Sequence, residues 1–355
     1  TKQHAVERPY IEAVLKEWKM YVDLLGEKPT VKELHLGGGT PTFFSPDNLK
    51  FLLENIFENA AIAHQPEFSF EGHPNNTTIE HLITLYQFGF KRVSFGVQDY
   101  DPKVQKTINR IQPFENVEAV TLAARHTGYE SISHDLIFGL PFQTWNSMSE
   151  TIEKTKSLKP DRIAFYSYAH VPWIKGVGQR GFDENDLPTP ELKRELYKKG
   201  KELLSTLGYI EIGMDHFALP TDSLYQSMQQ KTIHRNFMGY SSSSTQLMIG
   251  LGMSAISDSW YAFAQNEKST EEYIKKVDQG ILPVVRGHIL NKEDLMVRRH
   301  ILNLMCLLET SWENEKMDLP EMPEIIDRLE EMQKDRLVVL EDKHLKVTEK
   351  GRTFV

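Results

Sequence analysis

Short apolar runs alternate with helical patterns from residue 30 to about residue 217, and nearly every run ends in glycine or a polar side chain. The first, around Leu34 and Leu36, stops at Gly37-Gly38-Gly39-Thr40-Pro41. The others are 68–74 with Glu71, 92–99 with Gln98, 131–141 with Asp135, 162–170 with His170, and 209–217 with Asp215 and His216. Between them lie helical spacings such as Leu49/Leu52/Leu53/Ile56 behind Ser45-Pro46, Ile79/Leu82/Ile83, 102–110, 115–127, Met148/Ile152 and 190–206. An amphipathic helix over 5–26 precedes the first run. Strands separated by helices require crossover connections, so the pattern predicts parallel βαβ units in an α/β fold. An open doubly wound sheet gathers its site at one switch point, whereas a barrel collects residues from many strand ends. The distribution of polar strand ends therefore predicts a barrel-like first domain.

The chain is long enough for this and more: 355 residues, 40% hydrophobic and 26% charged, fit a large domain with a smaller one. The expected division is a barrel over 1–235, a connecting segment over the barrel mouth at 236–288, and a helical domain at 289–355. That last part ends in a hairpin turning at 341–343 and reads as winged-helix-like. A formal net charge of −9 excludes general nucleic-acid binding, so the winged-helix pattern is read as a packing or substrate-covering domain. No apolar run approaches a membrane span, and no signal peptide is expected. Cys306, the single cysteine, sits in an apolar helical run, which makes it a core residue and suits the reducing cytoplasm. A monomer is expected.

Several residues could carry chemistry. Three successive glycines leave the main chain open to a ligand's polar groups, although the stretch is neither a phosphate loop nor a dinucleotide fingerprint. Glu71 points away from Phe68 and Phe70 on a period-two strand and suits a ribose diol or, equally, a salt bridge. Asp135 interrupts an apolar strand and needs a partner such as Arg110, or a ligand; Arg110 alone reads as a surface charge. Asp215-His216 and His234-Arg235-Asn236-Phe237 bunch polar groups around aromatics. They lack metal-ligand spacing, and an anion or planar-ligand pocket with Phe217 and Phe237 stacking on a ring is the other reading. A structural histidine remains open for His216.

Taken together, Gly37–Thr42, Gly96-Val97-Gln98-Asp99, Asp135–Pro141, Tyr168–Pro172, Gly213–Ala218, His234–Tyr240 and Gly250–Ser257 resemble the oxygen-independent coproporphyrinogen III oxidases of the radical S-adenosylmethionine (SAM) superfamily. The resemblance covers nearly the whole chain. It implies a partial (β/α)6 barrel holding two SAM molecules and a [4Fe–4S] cluster. It also implies oxidative decarboxylation of two propionates of coproporphyrinogen III to vinyls, giving protoporphyrinogen IX, with an unidentified electron donor. By matching position, Gly38, Gly39 and Thr40 would contact the SAM methionine portions and Glu71 the adenosyl part of the first SAM. Phe237 and Ile256 would lie near that first SAM, and Gln98, Arg110, Asp135 and Ala169 would line the second. His216 and Arg235 are candidates for the substrate, and Lys175 and Arg180 for a basic cover over its propionates. The alternative reading is a haem- or porphyrin-binding carrier of the same fold without decarboxylase activity.

The sequence departs from the family in one respect. The family's cluster is held by a Cys-x3-Cys-x2-Cys loop, and thiolates are what such a cluster requires. None of it is in this sequence, and Thr1-Lys2-Gln3-His4 resembles the segment that follows the loop. The cluster ligands are therefore expected upstream of Thr1. Ser241–Ser244 replaces the family's Thr-Thr after Gly-Tyr.

Overall fold

The computed structural model describes residues 4–171, 182–313 and 322–355. The chain resolves into two compact units, Thr1–Glu211 with Asp215–Asp222, and Ile212–Met214 with Ser223–Val355.

In the first unit, helix α1 (Glu7–Leu25) ends at Gly26, whose left-handed conformation (φ 73°) closes the helix. Strand β1 (Thr30–Leu36) follows, then α2 (Pro46–Glu58). Ser45 caps α2 by accepting from the Asn48 amide, with Pro46 in the first turn as its fixed φ favours. The unit repeats as β2 (Ala61–Gly72), α3 (Ile79–Gln87), β3 (Phe90–Gln98), α4 (Pro102–Thr107) and α5 (Phe114–Thr127). It continues through β4 (Ser131–Phe138), α6 (Trp145–Ser157), β5 (Arg162–Ser167) and α7 (Pro190–Thr206).

Strands β1 to β5 pair in sequence order and in parallel. The sheet curls into a half-barrel. One expectation is corrected at its end. The run at 209–217 is not a sixth parallel strand: it breaks into β6 (Ile210–Gly213) and β7 (His216–Ala218), and β7 lies antiparallel to β5. The reversal comes from the backbone, since Gly213, Met214 and Asp215 all take positive φ (159°, 39° and 65°) and turn the chain back. The sheet order is β1-β2-β3-β4-β5-β7-β6.

The period-two alternation sorts the two faces. Phe68, Phe70, Val93, Phe95, Val97, Ile132, Leu136, Phe138, Ile163 and Phe165 are buried, and they pack with Leu49, Leu53, Leu82, Leu85, Val120, Ile152, Leu196 and Leu204 of the helices. Each such large side chain contributes about 1.5–3 kcal/mol by leaving water. The opposite face carries Glu67, Ser69 and Glu71, then Arg92 and Ser94, then Ser131, Ser133 and Asp135. Its lower end is closed by ion pairs. Arg92 meets Glu67 at 3.2 Å, and Arg162 meets Asp222 at 2.8 Å while Ser131 donates to the same carboxylate at 2.7 Å. Its upper end carries the candidate site.

Beyond Ile212–Met214, the second unit continues with α8 (Ser223–Gln229) and the hairpin β8 (His234–Asn236)/β9 (Gly239–Ser241). The stretch expected to be irregular instead holds a four-stranded antiparallel sheet: β10 (Leu247–Met248), β11 (Ile256–Ser259), β12 (Ala262–Asn266) and β13 (Val284–Ile289), with α9 (Thr270–Asp278) inserted. Its strands are too short for alternation to stand out from loop composition. The chain closes with α10 (Lys292–Leu307), β14 (Glu309–Ser311), α11 (Met322–Lys334), β15 (Val338–Glu341) and β16 (His344–Val347). Their sheet order, β14-β16-β15, is the winged-helix-like arrangement the terminal pattern predicts, with Asp342 (φ 49°) at the hairpin turn.

Candidate functional site

The site is built from strand register. His35 pairs with Ser69, and Glu71 with Ser94. One row then crosses four strands: Gly96 opposite Asp135, Asp135 opposite Ala164, Ala164 opposite His216. Residues in register share a face, so His35, Glu71, Ser94, Asp135 and His216 all project from the polar side. Asp135 and His216 are two strands apart, on the order of 10 Å.

At the first strand end, Gly38 (φ 77°) and Gly39 (φ 153°) adopt conformations that side chains disfavour, and a Cβ on either would meet nothing within 4 Å. The main chain there is open to an approaching group. The loop is held from behind. The buried Glu7 carboxylate accepts from the Ser45 amide (2.8 Å) and Asn48 Nδ2 (2.7 Å), and Thr42 accepts from Thr77 Oγ1 (3.1 Å).

At the centre, Asp135 is half-buried and Ser94 Oγ donates to it at 2.8 Å. Burial pushes its carboxyl up to about 6, opposed by the Ser94 hydrogen bond and the Arg110 charge and assisted by the Glu71 charge. Arg110 is not the surface charge that its sequence context suggests. It is half-buried, Nη2 donates to Gly96 O at 2.8 Å, and burial lowers its pKa against the favourable Asp135 charge. Its Nε–H is buried with no protein partner. A bound acceptor, ligand or water, would satisfy a donor in that state.

Gln98 sits at φ 69°, where the β3–β4 register shifts between Gly96 and Gln98. This bulge re-aims the strand end. Three buried amides support it. Gln112 Nε2 donates to Gly96 O (3.1 Å), Gln105 Nε2 to Asp99 O (2.8 Å), and Gln143 Nε2 to the Asp99 carboxylate (2.6 Å). Asp99 also accepts from Thr151 Oγ1 at 3.0 Å, and burial pushes it up to about 6. No local pattern in the sequence singles out Ser94, Gln105, Gln112, Gln143 or Asp99. The one available signal was a polar side chain recurring within or just beyond apolar runs.

Ala169 is exposed two residues beyond β5. His216 Nε2 lies 3.3 Å from Tyr166 Oη with the rings edge to face. Asp215 is bonded by Tyr197 and raised by burial. Phe217, expected to stack on a ligand ring, is instead a buried core residue on the apolar face. In the second unit, Arg235 stands 4.7 Å from the Tyr240 ring, Phe237 is exposed and meets Phe263 edge to face, and Ile256 is half-buried opposite Gln265. Lys175 and Arg180 lie outside the described residues. Among the described residues no group of three or more His, Cys, Asp or Glu could hold a metal ion, and no helix is long and apolar enough to cross a membrane.

Residues 2–155 match the Radical SAM superfamily. The chain is 40% identical over 306 residues to the oxygen-independent coproporphyrinogen III oxidase of Helicobacter pylori strain J99, spanning 85% of this chain and 66% of that one. It is 35% identical to the Pseudomonas aeruginosa protein of the same name, over all of this chain and 78% of the relative. The chain belongs to the oxygen-independent coproporphyrinogen III oxidase family. The solved coproporphyrinogen III oxidase (HemN) of Escherichia coli, described as a radical SAM enzyme, superposes with a TM-score of 0.94 at 34% identity, covering all of this chain and 82% of that one. Membership implies SAM and a [4Fe–4S] cluster. The donor set on the polar face fits SAM: open glycine main chain, two carboxylates and a guanidinium with an unfilled N–H. A cluster does not fit the residues present. Cys306 is the sole cysteine, its thiol pushed up to about 11 by burial.

Proposed function

We propose that this chain carries the SAM-binding and substrate-facing machinery of an enzyme that oxidatively decarboxylates coproporphyrinogen III to protoporphyrinogen IX. The observation that carries the reading is the unfilled donor of Arg110 beside Asp135 on the polar face of the half-barrel. A half-buried carboxylate and guanidinium that do not hydrogen-bond each other are organised for a third group. Relatives of the same name supply the substrate class.

SAM, when bound, supplies hydrogen-atom abstraction by its 5′-deoxyadenosyl group. The residues bind and orient it. The Gly38–Gly39 main chain and Thr40 meet the methionine portions, and Glu71 accepts from the ribose hydroxyls of the first molecule. Gln98, Arg110, Asp135 and Ala169 receive the second, with Arg110 Nε–H finding its acceptor there. The roles of Phe237 and Ile256 toward the first SAM, and of His216 and Arg235 toward the propionates, rest on the resemblance alone. The sparse cysteine usage supports a cytoplasmic setting, and we propose a monomer.

The test is turnover of coproporphyrinogen III by the anaerobically purified full-length protein with SAM and a reductant, with porphyrin products resolved by mass spectrometry. Two vinyls formed stepwise support the reading. SAM binding without any vinyl product overturns it.

A further inference from the structure

We propose that His35 is a positioning residue that aims the Glu71 carboxylate at its ligand. The inference deepens the reading of Glu71 as the SAM-binding carboxylate and rests on it.

The geometry brings three elements onto one imidazole. His35 Nδ1 lies 2.9 Å from Ser69 Oγ, its register partner on β2. Nε2 lies 3.5 Å from Glu71 Oε1, one step further along that strand on the same face. Above the ring runs the glycine loop: a Cβ on Gly37 would sit 2.5 Å from His35 Nε2 and 3.1 Å from Glu71 Oε1. A side chain on Gly37 would therefore displace the His35 ring from this position beside Glu71.

Glu71 needs such a partner. Its side chain is 45% exposed, so a flexible carboxylate with freely rotating bonds would sample many orientations. His35 is less exposed, at 23%, and is fixed at its far nitrogen by Ser69. The bond at one ring nitrogen sets which proton the other presents. The arrangement that serves Glu71 has the Ser69 hydroxyl donating to Nδ1, which leaves the ring proton on Nε2, the nitrogen that faces the carboxylate. In that tautomer the Nε2–H side of the ring faces Glu71 Oε1, and the second carboxylate oxygen stays open to a ribose. The chain Ser69–His35–Glu71 thus resembles the outer partners that orient ligating groups elsewhere in proteins.

The experiment uses the full-length protein, measuring SAM affinity and the KM and kcat for 5′-deoxyadenosine formation. His35→Gln places an amide nitrogen near Nε2 and His35→Asn places one near Nδ1. His35→Leu removes both. Losing this contact is expected to weaken SAM about tenfold in H35L and H35N, with H35Q within about threefold of wild type. The loss is expected in KM with kcat nearly unchanged, because the contact serves binding. In an E71Q background H35L is expected to add nothing further. Circular dichroism and thermal unfolding show whether each variant folds. If H35Q falls as far as H35L, or H35L still costs tenfold in E71Q, His35 does not act through Glu71 and the proposal fails. If E71Q binds SAM as wild type does, the reading of Glu71 itself fails, separately from His35.

Discussion

Replacing Asp135 by Asn is expected to stabilise the ligand-free protein while weakening SAM binding. Asp135 has a folded-state pKa raised from 3.8 to about 6, with burial the largest cause. Between those values the folded chain binds a proton that the unfolded chain has released. Stability from this residue is therefore present in full below pH 3.8 and is lost as pH rises through 6. A shift of about two units corresponds to about 3 kcal/mol, and partial solvent access reduces it to about 1–2 kcal/mol at pH 7.5. Asn is a neutral isostere that keeps a hydrogen bond with Ser94, so it recovers most of that loss. For a unit of this size the gain is about 2–6 °C in Tm. Thermal unfolding of ligand-free wild type and D135N from pH 5 to pH 8 reads it directly. The gain is expected at pH 7.5–8 and to shrink toward pH 5, where wild-type Asp135 takes up the proton itself. A gain independent of pH, or a loss at every pH, would refute the electrostatic reasoning. The accompanying fall in SAM affinity follows because a carboxylate held at a cost is held for its ligand.

Three further outcomes follow from the same geometry. Gly96→Ala places a Cβ 2.7 Å from both Arg110 Nη2 and Gln98 Nε2. Both are ends of flexible side chains, so titration calorimetry is expected to show SAM weakened about tenfold with little change in Tm. Asp222→Ala removes the carboxylate that Arg162 Nε meets at 2.8 Å and Ser131 Oγ at 2.7 Å. Chemical denaturation is expected to report about 3–5 kcal/mol of lost stability, and a cost below 1 kcal/mol would show that the lower ionic layer is not needed. Phe68→Ala, in the apolar face three residues before Glu71, is expected to cost about 3–5 kcal/mol in the same assay.

The alternation of Phe68 and Phe70 against Glu71, and of Ile132 and Leu136 against Asp135, made both faces of the sheet legible in the sequence. A parallel sheet flanked by helices on one side only leaves one polar face, and period two is a strong local signal. Polar strand ends likewise pointed to a barrel. The reversal at 213–215 was not legible, because Met214 carries no preference for positive φ and tertiary pairing of β7 with β5 imposes it. Nor was the state of Arg110, which depends on how the segment after α4 folds back over Gly96. Asp135's partner, Ser94, comes from register across 41 residues, which no local pattern encodes. Phe217 has neighbours, Asp215 and His216, that suggest a site, whereas its own position on β7 faces the core.

The most direct test of the central claim follows hydrogen rather than product alone. Coproporphyrinogen III deuterated at the propionate carbon next to the ring is incubated with SAM and the reduced full-length protein, and the 5′-deoxyadenosine is analysed by mass spectrometry. The account predicts one deuterium transferred to 5′-deoxyadenosine for each vinyl formed, and a parallel fall of both at limiting SAM in the Glu71 and Asp135 variants. Deoxyadenosine without deuterium, or vinyl formation that survives those substitutions unchanged, would contradict it.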